Sequence, residues 1–175
     1  MWMAFSDANG IQGVLFWLLG DLSRAQLSGA LLTFFTVLLL VAVIYLRRGG
    51  LDALLLGEEG AASLGVDVVR LRKELLLWSS ILVAVCVCGA GMIGFIGLVV
   101  PHFSRRLVGS MHIALIPLSC ILGATALVFA DFVSRVALSP YEVPVGVVTS
   151  IIGAPLFVWL MVKPTSASMQ TGGIA

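Results

Sequence analysis

Residues 88–102 read CGAGMIGFIGLVVPH, and within them Gly89, Gly91 and Gly94 spell G-x-G-x-x-G. In a soluble protein that spacing cradles a dinucleotide pyrophosphate between a strand and a helix, with an acidic residue about 20 positions on to hold the ribose. Neither condition is met here. No Asp or Glu occurs between Glu74 and Asp131, and an apolar run of membrane length precedes the glycines. The bland alternative is stronger: small residues let helices approach closely in lipid, and a chain reversal needs the backbone freedom of glycine.

The surroundings of this stretch decide between the two. Of the 175 residues 60% are hydrophobic and 11% charged, and the mean hydropathy is +1.13, which places the chain in a membrane. Ten basic and nine acidic residues nearly cancel, so nothing points to nucleic acid or to an acidic partner. About 20 apolar residues cross the hydrocarbon core. Residues 27–46 and 143–162 supply 20 each, and 24 uncharged residues lie between Arg106 and Asp131, with the helix expected to begin near Ile113.

The stretch 75–104 has 30 residues without a formal charge, long enough for one tilted span or for two shorter helices. Counting basic residues by side arbitrates. If the chain turns back at the glycines, Arg47, Arg48, Arg70, Arg72, Lys73, Arg105, Arg106 and Lys163 share one side, leaving Arg24 and Arg135 opposite, eight against two; straight passage gives six against four. Turning back is the better reading. It predicts a full helix over about 72–89, a glycine-rich reversal and a short helix over about 93–108. So short a helix must be shielded by protein, because bare backbone is not tolerated against lipid. Gly89, Gly91, Gly94 and Gly97, with Pro101, are assigned to packing and reversal, so Leu at Gly94 or Gly97 should impair folding or assembly. The fold class is an all-α polytopic transmembrane bundle of about five membrane helices, one of them short.

Catalytic and metal chemistry find little support. Cys86, Cys88 and Cys120 lie in apolar spans, where they are expected as buried packing residues. His102 and His112 have no acidic or Cys neighbour in their own segments and read as loop or cap residues. Asp131, the acidic residue placed inside a helix, has no catalytic partner nearby, so neither an enzyme nor a bound cofactor or metal is expected. Residues 1–26 read as an outer-side or interfacial segment, the remnant of a preceding span with Trp17 at headgroup level, and 165–175 as a disordered tail. The polar segment 47–73 lies on the basic, hence cytoplasmic, side. Its alternating Leu and acidic residues, divided by Gly57, Gly60 and Gly65, suit two short helices outside the membrane, either as a surface connector or as a docking element for a cytosolic partner.

Taken in order, GEEGAASLGV (57–66), GMIGFIGLVVPH (91–102), ADFVSR (130–135), YEVPVGVVT (141–149) and GAPLFVWL (153–160) resemble the FecCD-type permeases, the membrane subunits of binding-protein-dependent ABC importers for iron-siderophores, haem and cobalamin. The likeness runs from about residue 12 to 163, making 27–164 the permease region. It implies an inner-membrane dimer over a cytosolic ABC ATPase, fed by an extracytoplasmic substrate-binding protein. The cytoplasmic helices match residues 51–65, so Glu58, Glu59, Ala62, Leu64 and Gly65 are implied to couple to the ATPase. Arg135 is implied to dock the binding protein, the alternative being a local ion pair with Asp131 one helical turn earlier. Where the family often has Asp-His-Arg, this chain has Met111, His112 and Ile113. The match begins just before the sixth family helix, so the first five lie outside this sequence. The chain is accordingly expected as a carboxyl-terminal half that either joins a separate amino-terminal permease half or is a non-transporting fragment.

Overall fold

A computed structural model describes residues 13–14, 17–20, 22, 26–136 and 143–162. Residues 1–12, most of 21–25, residues 163–175 and the start of the 141–149 motif, for which expectations were formed above, lie outside the described residues. From residue 27 on, the described residues form seven helices in order: α1 (Leu27–Leu46), α2 (Arg48–Leu54), α3 (Glu58–Ser63), α4 (Val68–Ala90), α5 (Ile96–Val108), α6 (His112–Val136) and α7 (Val145–Val162). Among the described residues there is no strand. Helices α1, α4 and α6 are long and apolar enough to cross a membrane, and α7 is a shorter apolar helix.

Each boundary has a local cause. The uncharged run of α1 stops at Arg47 and Arg48, which cannot enter the hydrocarbon layer cheaply. Helix α4 starts four residues earlier than the expected Arg72, because the Asp67 carboxylate accepts the Arg70 N–H at 3.0 Å and caps the helix. Arg70, Arg72 and Lys73 therefore ride on the first turns of a 23-residue helix, with stems long enough to carry their charges clear of the apolar zone. Helix α6 begins at His112, one residue before the expected Ile113.

Helix α4 ends at Gly91, whose φ of 74° and ψ of −167° fall in a region open essentially to glycine. The chain then turns through 91–95 and returns as α5. At 13 residues α5 extends about 20 Å and falls short of a membrane crossing. It packs on α6 and α7, the protein shield its length requires, with Val100 and Ser104 buried against them. Helix α1 packs on α4, and α2 touches α1, α3, α4 and α6.

Contacts fix the ends. His112 meets Asp52 of α2, so α5 has come back to the end at which α1 stops and α4 starts. At the far end the Val145 N–H donates to the Gly20 carbonyl at 3.0 Å, and Gly20, Gly91 and Gly146 crowd together. A Cβ on Gly91 would stand 2.2 Å from the Trp17 carbonyl oxygen, and one on Gly146 2.0 Å from that of Leu19. The 17–20 segment is thus wedged between the reversal and the start of α7.

The glycines divide accordingly. Gly89 faces Thr33 of α1 at 3.3 Å, which is helix-on-helix approach. Gly94 has only Ser150 Oγ at 4.0 Å, and a Cβ on Gly97 meets nothing within 4 Å. Within this chain close packing is therefore not the role of those two positions. Gly97 stands four residues before Pro101, which has no N–H to offer the Gly97 carbonyl. A crowded glycine for which no role had been assigned is Gly153, where a Cβ would lie 2.4 Å from that of Phe95; Phe95 itself is held at a φ of 64°.

Much apolar surface stays open: none of the most apolar 18-residue window of α4 is buried, and only 6% of that of α1. Such faces suit lipid or further helices rather than water. Gly91→Ala should cost about 1–3 kcal/mol from its backbone conformation alone, with the carbonyl overlap added. Gly146→Leu should be at least as damaging, whereas Gly97→Ala should be neutral or slightly stabilising. Membrane accumulation and thermal unfolding in detergent would check this order, and equal behaviour of Gly91→Ala and Gly97→Ala would contradict it.

Candidate functional site

The polar segment between α1 and α4 is built as a compact helical pair. After α2 the chain turns through Leu55, Leu56 and Gly57, the last at a φ of 88° and ψ of 169°. Glu58 and Glu59 occupy the first turn of α3, where the helix dipole favours negative charge. The helix closes with the two hydrogen bonds of a Schellman motif: Gly65 N–H to the Ala62 carbonyl at 2.9 Å and Val66 N–H to the Ala61 carbonyl at 3.1 Å. Gly65, with a φ of 80°, is thus required by the fold whatever else it does.

Ala61 is fully buried on the inner side of α3, which sets the opposite face outward. Glu58, Glu59, Ala62, Leu64 and Gly65 are all exposed. Leu55, Leu56 and Leu64 are exposed as well, an apolar group standing beyond the membrane-length helices and flanked by carboxylates. Glu58 is ion-paired with Arg72 of α4. Both side chains are more than half exposed, so the pair orients α3 more than it stabilises the fold. Nearby, Glu74 takes Arg47 at 2.9 Å and Arg70 at 3.1 Å.

Two residues of this region escaped the sequence reading. Asp52, on α2, accepts the His112 backbone N–H at 2.8 Å and lies 2.6 Å from His112 Nδ1. His112 is a cap-region residue as expected, and its acidic partner comes from 60 positions away, beyond its own segment. Tyr45, at the end of α1, donates its hydroxyl to the Ile113 carbonyl at 3.4 Å. Ile113 is four residues before Pro117, so its carbonyl has lost its helical donor. The signal available beforehand was Met111: a helix start preceded by a side chain with no oxygen must find its cap elsewhere. Arg106, at the end of α5, likewise donates to the Leu160 carbonyl at 3.3 Å in the last turn of α7. His102, in contrast, lies inside α5 and is no loop or cap residue.

Hydrogen bonding from the His112 backbone N–H first, and from its ring second, holds the Asp52 carboxyl below its ordinary value. Burial opposes these two less strongly than they act, and the charges of His112 and Arg48 add still smaller effects in the lowering direction.

At the other end Arg135 Nε is 2.8 Å from Asp131 Oδ2, forming the i,i+4 ion pair, with the Arg135 side chain about half exposed. Cys86, Cys88 and Cys120 are exposed, correcting the expectation that they are buried. They lie on outward faces of α4 and α6, which within this chain meet no covering helix. Among the described residues no three His, Cys, Asp or Glu side chains converge as a metal site.

The sequence model of the FecCD transport family matches residues 1–163. The chain is 42% identical to the vitamin B12 import system permease protein BtuC of Vibrio cholerae, over 91% of this chain and 48% of that protein. It is 39% identical to the hemin transport system permease protein HmuU of Yersinia pestis (90% and 47%), and 38% to the Fe(3+) dicitrate transport system permease protein FecD of Escherichia coli (93% and 51%). A solved structure described as an inward-facing conformation of a metal-chelate type ABC transporter superposes with a TM-score of 0.82 at 35% identity, covering 90% of this chain and 52% of that one. The chain spans about half the length of the curated relatives it matches.

Because the Asp52 carboxyl is held below its ordinary value of 3.8, its cap is present at neutral pH and is lost only as pH falls through that lowered value. Hydrogen exchange at the first turn of α6 should therefore keep its protection from neutral pH down to the ordinary value and lose it below. Protection that fades around neutrality would contradict the assignment.

Proposed function

Because the chain belongs to the FecCD transport family, whose model covers residues 1–163, we propose that it forms the carboxyl-terminal half of a permease in a binding-protein-dependent ABC importer. The cargo class is an iron(III)-siderophore or a related chelate, with haem and cobalamin in the same class, carried across the inner membrane. The free energy comes from ATP hydrolysis in a cytosolic partner; this chain supplies the path and the lever and catalyses no reaction itself.

The observation that carries the reading is the exposed face of α3. Five residues named for coupling, Glu58, Glu59, Ala62, Leu64 and Gly65, lie together and outward, on a helix anchored from behind by buried Ala61. A short helix with apolar knobs and carboxylates can seat in a partner's groove and convert closure of that partner into a rigid-body shift of the membrane helices. Arg135, at the opposite end, is the docking residue for the extracytoplasmic binding protein, with Asp131 holding its guanidinium in place. The open apolar faces of α1 and α4 are where a second permease subunit, a first half and lipid would lie.

The half-length match also supports a second reading, in which this chain is by itself a non-transporting permease fragment that needs a separate first half. Uptake by cells expressing this chain with its ATPase and binding protein, with and without a first half supplied in trans, separates the two.

In a complete complex, Leu64→Asp and Glu59→Lys should each lower substrate uptake and substrate-stimulated ATP hydrolysis by about tenfold while the permease accumulates normally; unchanged stimulation would sink the coupling role. Arg135→Glu should weaken binding-protein association by a similar factor, most visibly at low salt. Association insensitive both to this change and to ionic strength would return Arg135 to a purely local role.

A further inference from the structure

Among the described helices α3 packs on its neighbours α2 and α4, while α5, α6 and α7 pack among themselves. At the basic end α2 joins the two groups, beside a smaller α1–α6 contact; at the far end they meet at the 17–20 segment and the 91–95 turn. The join is made at named atoms. Oδ1 of Asp52 holds the His112 backbone N–H at 2.8 Å and stands 2.6 Å from His112 Nδ1, and the Tyr45 hydroxyl holds the Ile113 carbonyl at 3.4 Å. Asp52 and His112 side chains are both largely shielded, at 21% and 14% exposed. Tyr45 is itself steadied by the Arg48 guanidinium, 4.5 Å from its ring centre.

Both bonds fill vacancies in the backbone of α6. Its first N–H groups lack intrahelical acceptors, and Met111 supplies no capping oxygen. Pro117 leaves the Ile113 carbonyl without a donor. The first turn of α6 is therefore completed by side chains of α1 and α2, and separating the two corners would strand an N–H and a carbonyl together. At the part-buried Asp52–His112 contact that makes a stiff joint rather than a sliding one, since the cost of an unmade hydrogen bond in a shielded place exceeds the worth of a made one; the exposed Tyr45 bond adds less.

We propose that Asp52 is a positioning residue for transport coupling, with Tyr45 in support: it clamps the start of α6 to α2, so that a displacement imposed on α3 reaches α6 and, through it, α5 and α7. This rests on the reading of α3 as the ATPase-docking helix. Because the link works through an acceptor oxygen and not through charge alone, Asn at position 52 preserves it and Ala removes it. His112→Ala keeps the backbone bond and loses the ring contact, so its effect is intermediate.

The test uses the complete transporter, with its first half, ATPase and binding protein, in lipid nanodiscs. Two quantities are read: ATP hydrolysed per substrate carried, and hydrogen exchange over the first turn of α6. Asp52→Ala should raise the ATP cost per substrate by at least about fivefold and accelerate exchange at His112 and its neighbours, while Asp52→Asn restores both toward the wild type. A wild-type ratio in Asp52→Ala overturns the proposal, and so does a raised ratio that Asn fails to rescue. If Asp52→Ala does not accumulate, Asp52→Glu and His112→Ala, which displace or weaken the contact and keep a capping oxygen, take its place, and a wild-type ratio in both overturns it. A wild-type complex that carries no substrate at all counts against the functional reading instead; faster exchange in Asp52→Ala then still upholds the joint, and unchanged exchange overturns it.

Discussion

A backbone N–H or carbonyl without a partner costs more in an apolar layer than almost any side-chain contact there returns. This constraint explains why the interruptions of the helices are so closely attended. Where α4 must end, Gly91 still donates to the Val87 carbonyl at 2.9 Å, and the following turn is wedged against the Trp17 and Leu19 carbonyls and the start of α7. Where Pro117 breaks the ladder of α6, a tyrosine arrives from α1. Where α7 runs out of donors, Arg106 of α5 reaches its Leu160 carbonyl.

The two ends of the molecule obey this constraint with different means. At the reversal end the partners are backbone groups, and the contact is so close that only glycine fits at positions 91 and 146. At the basic end they are side chains, Asp52, Tyr45 and Arg106, which can be long because they sit where the apolar layer gives way to water. The first arrangement makes a fixed seam. The second makes a joint of side chains, and it lies beside the exposed face of α3, where the proposed partner would push.

Much of this was legible in the residues. The count of basic residues by side required the chain to turn back in the 88–102 stretch, and α5 returns as that count implied. The alternation of Leu and acidic residues between Arg47 and Lys73, with glycines between, marked two short helices, and α2 and α3 stand there. The resemblance named Glu58, Glu59, Ala62, Leu64 and Gly65 for coupling, and their exposure is what the structure adds. What was misjudged has two causes: the cysteines taken as buried lie on spans apolar nearly all round, which carry no signal of the way they face, while Gly97, taken for a packing position, stands where a Cβ meets nothing of this chain within 4 Å.

The amino-acid sequence by itself determined the membrane class, which loops share an end of the bundle, the place of the reversal and the family, because each follows from local composition or from ordered motifs. The tertiary structure alone decided that Asp52 caps a helix beginning 60 residues later, that Tyr45 serves a carbonyl orphaned by Pro117, and that Gly146 and Gly153, rather than Gly97, carry close approaches. A cap or a close approach is a relation between segments far apart in the chain, and the unsatisfied group advertises only its need, not the residue that will meet it.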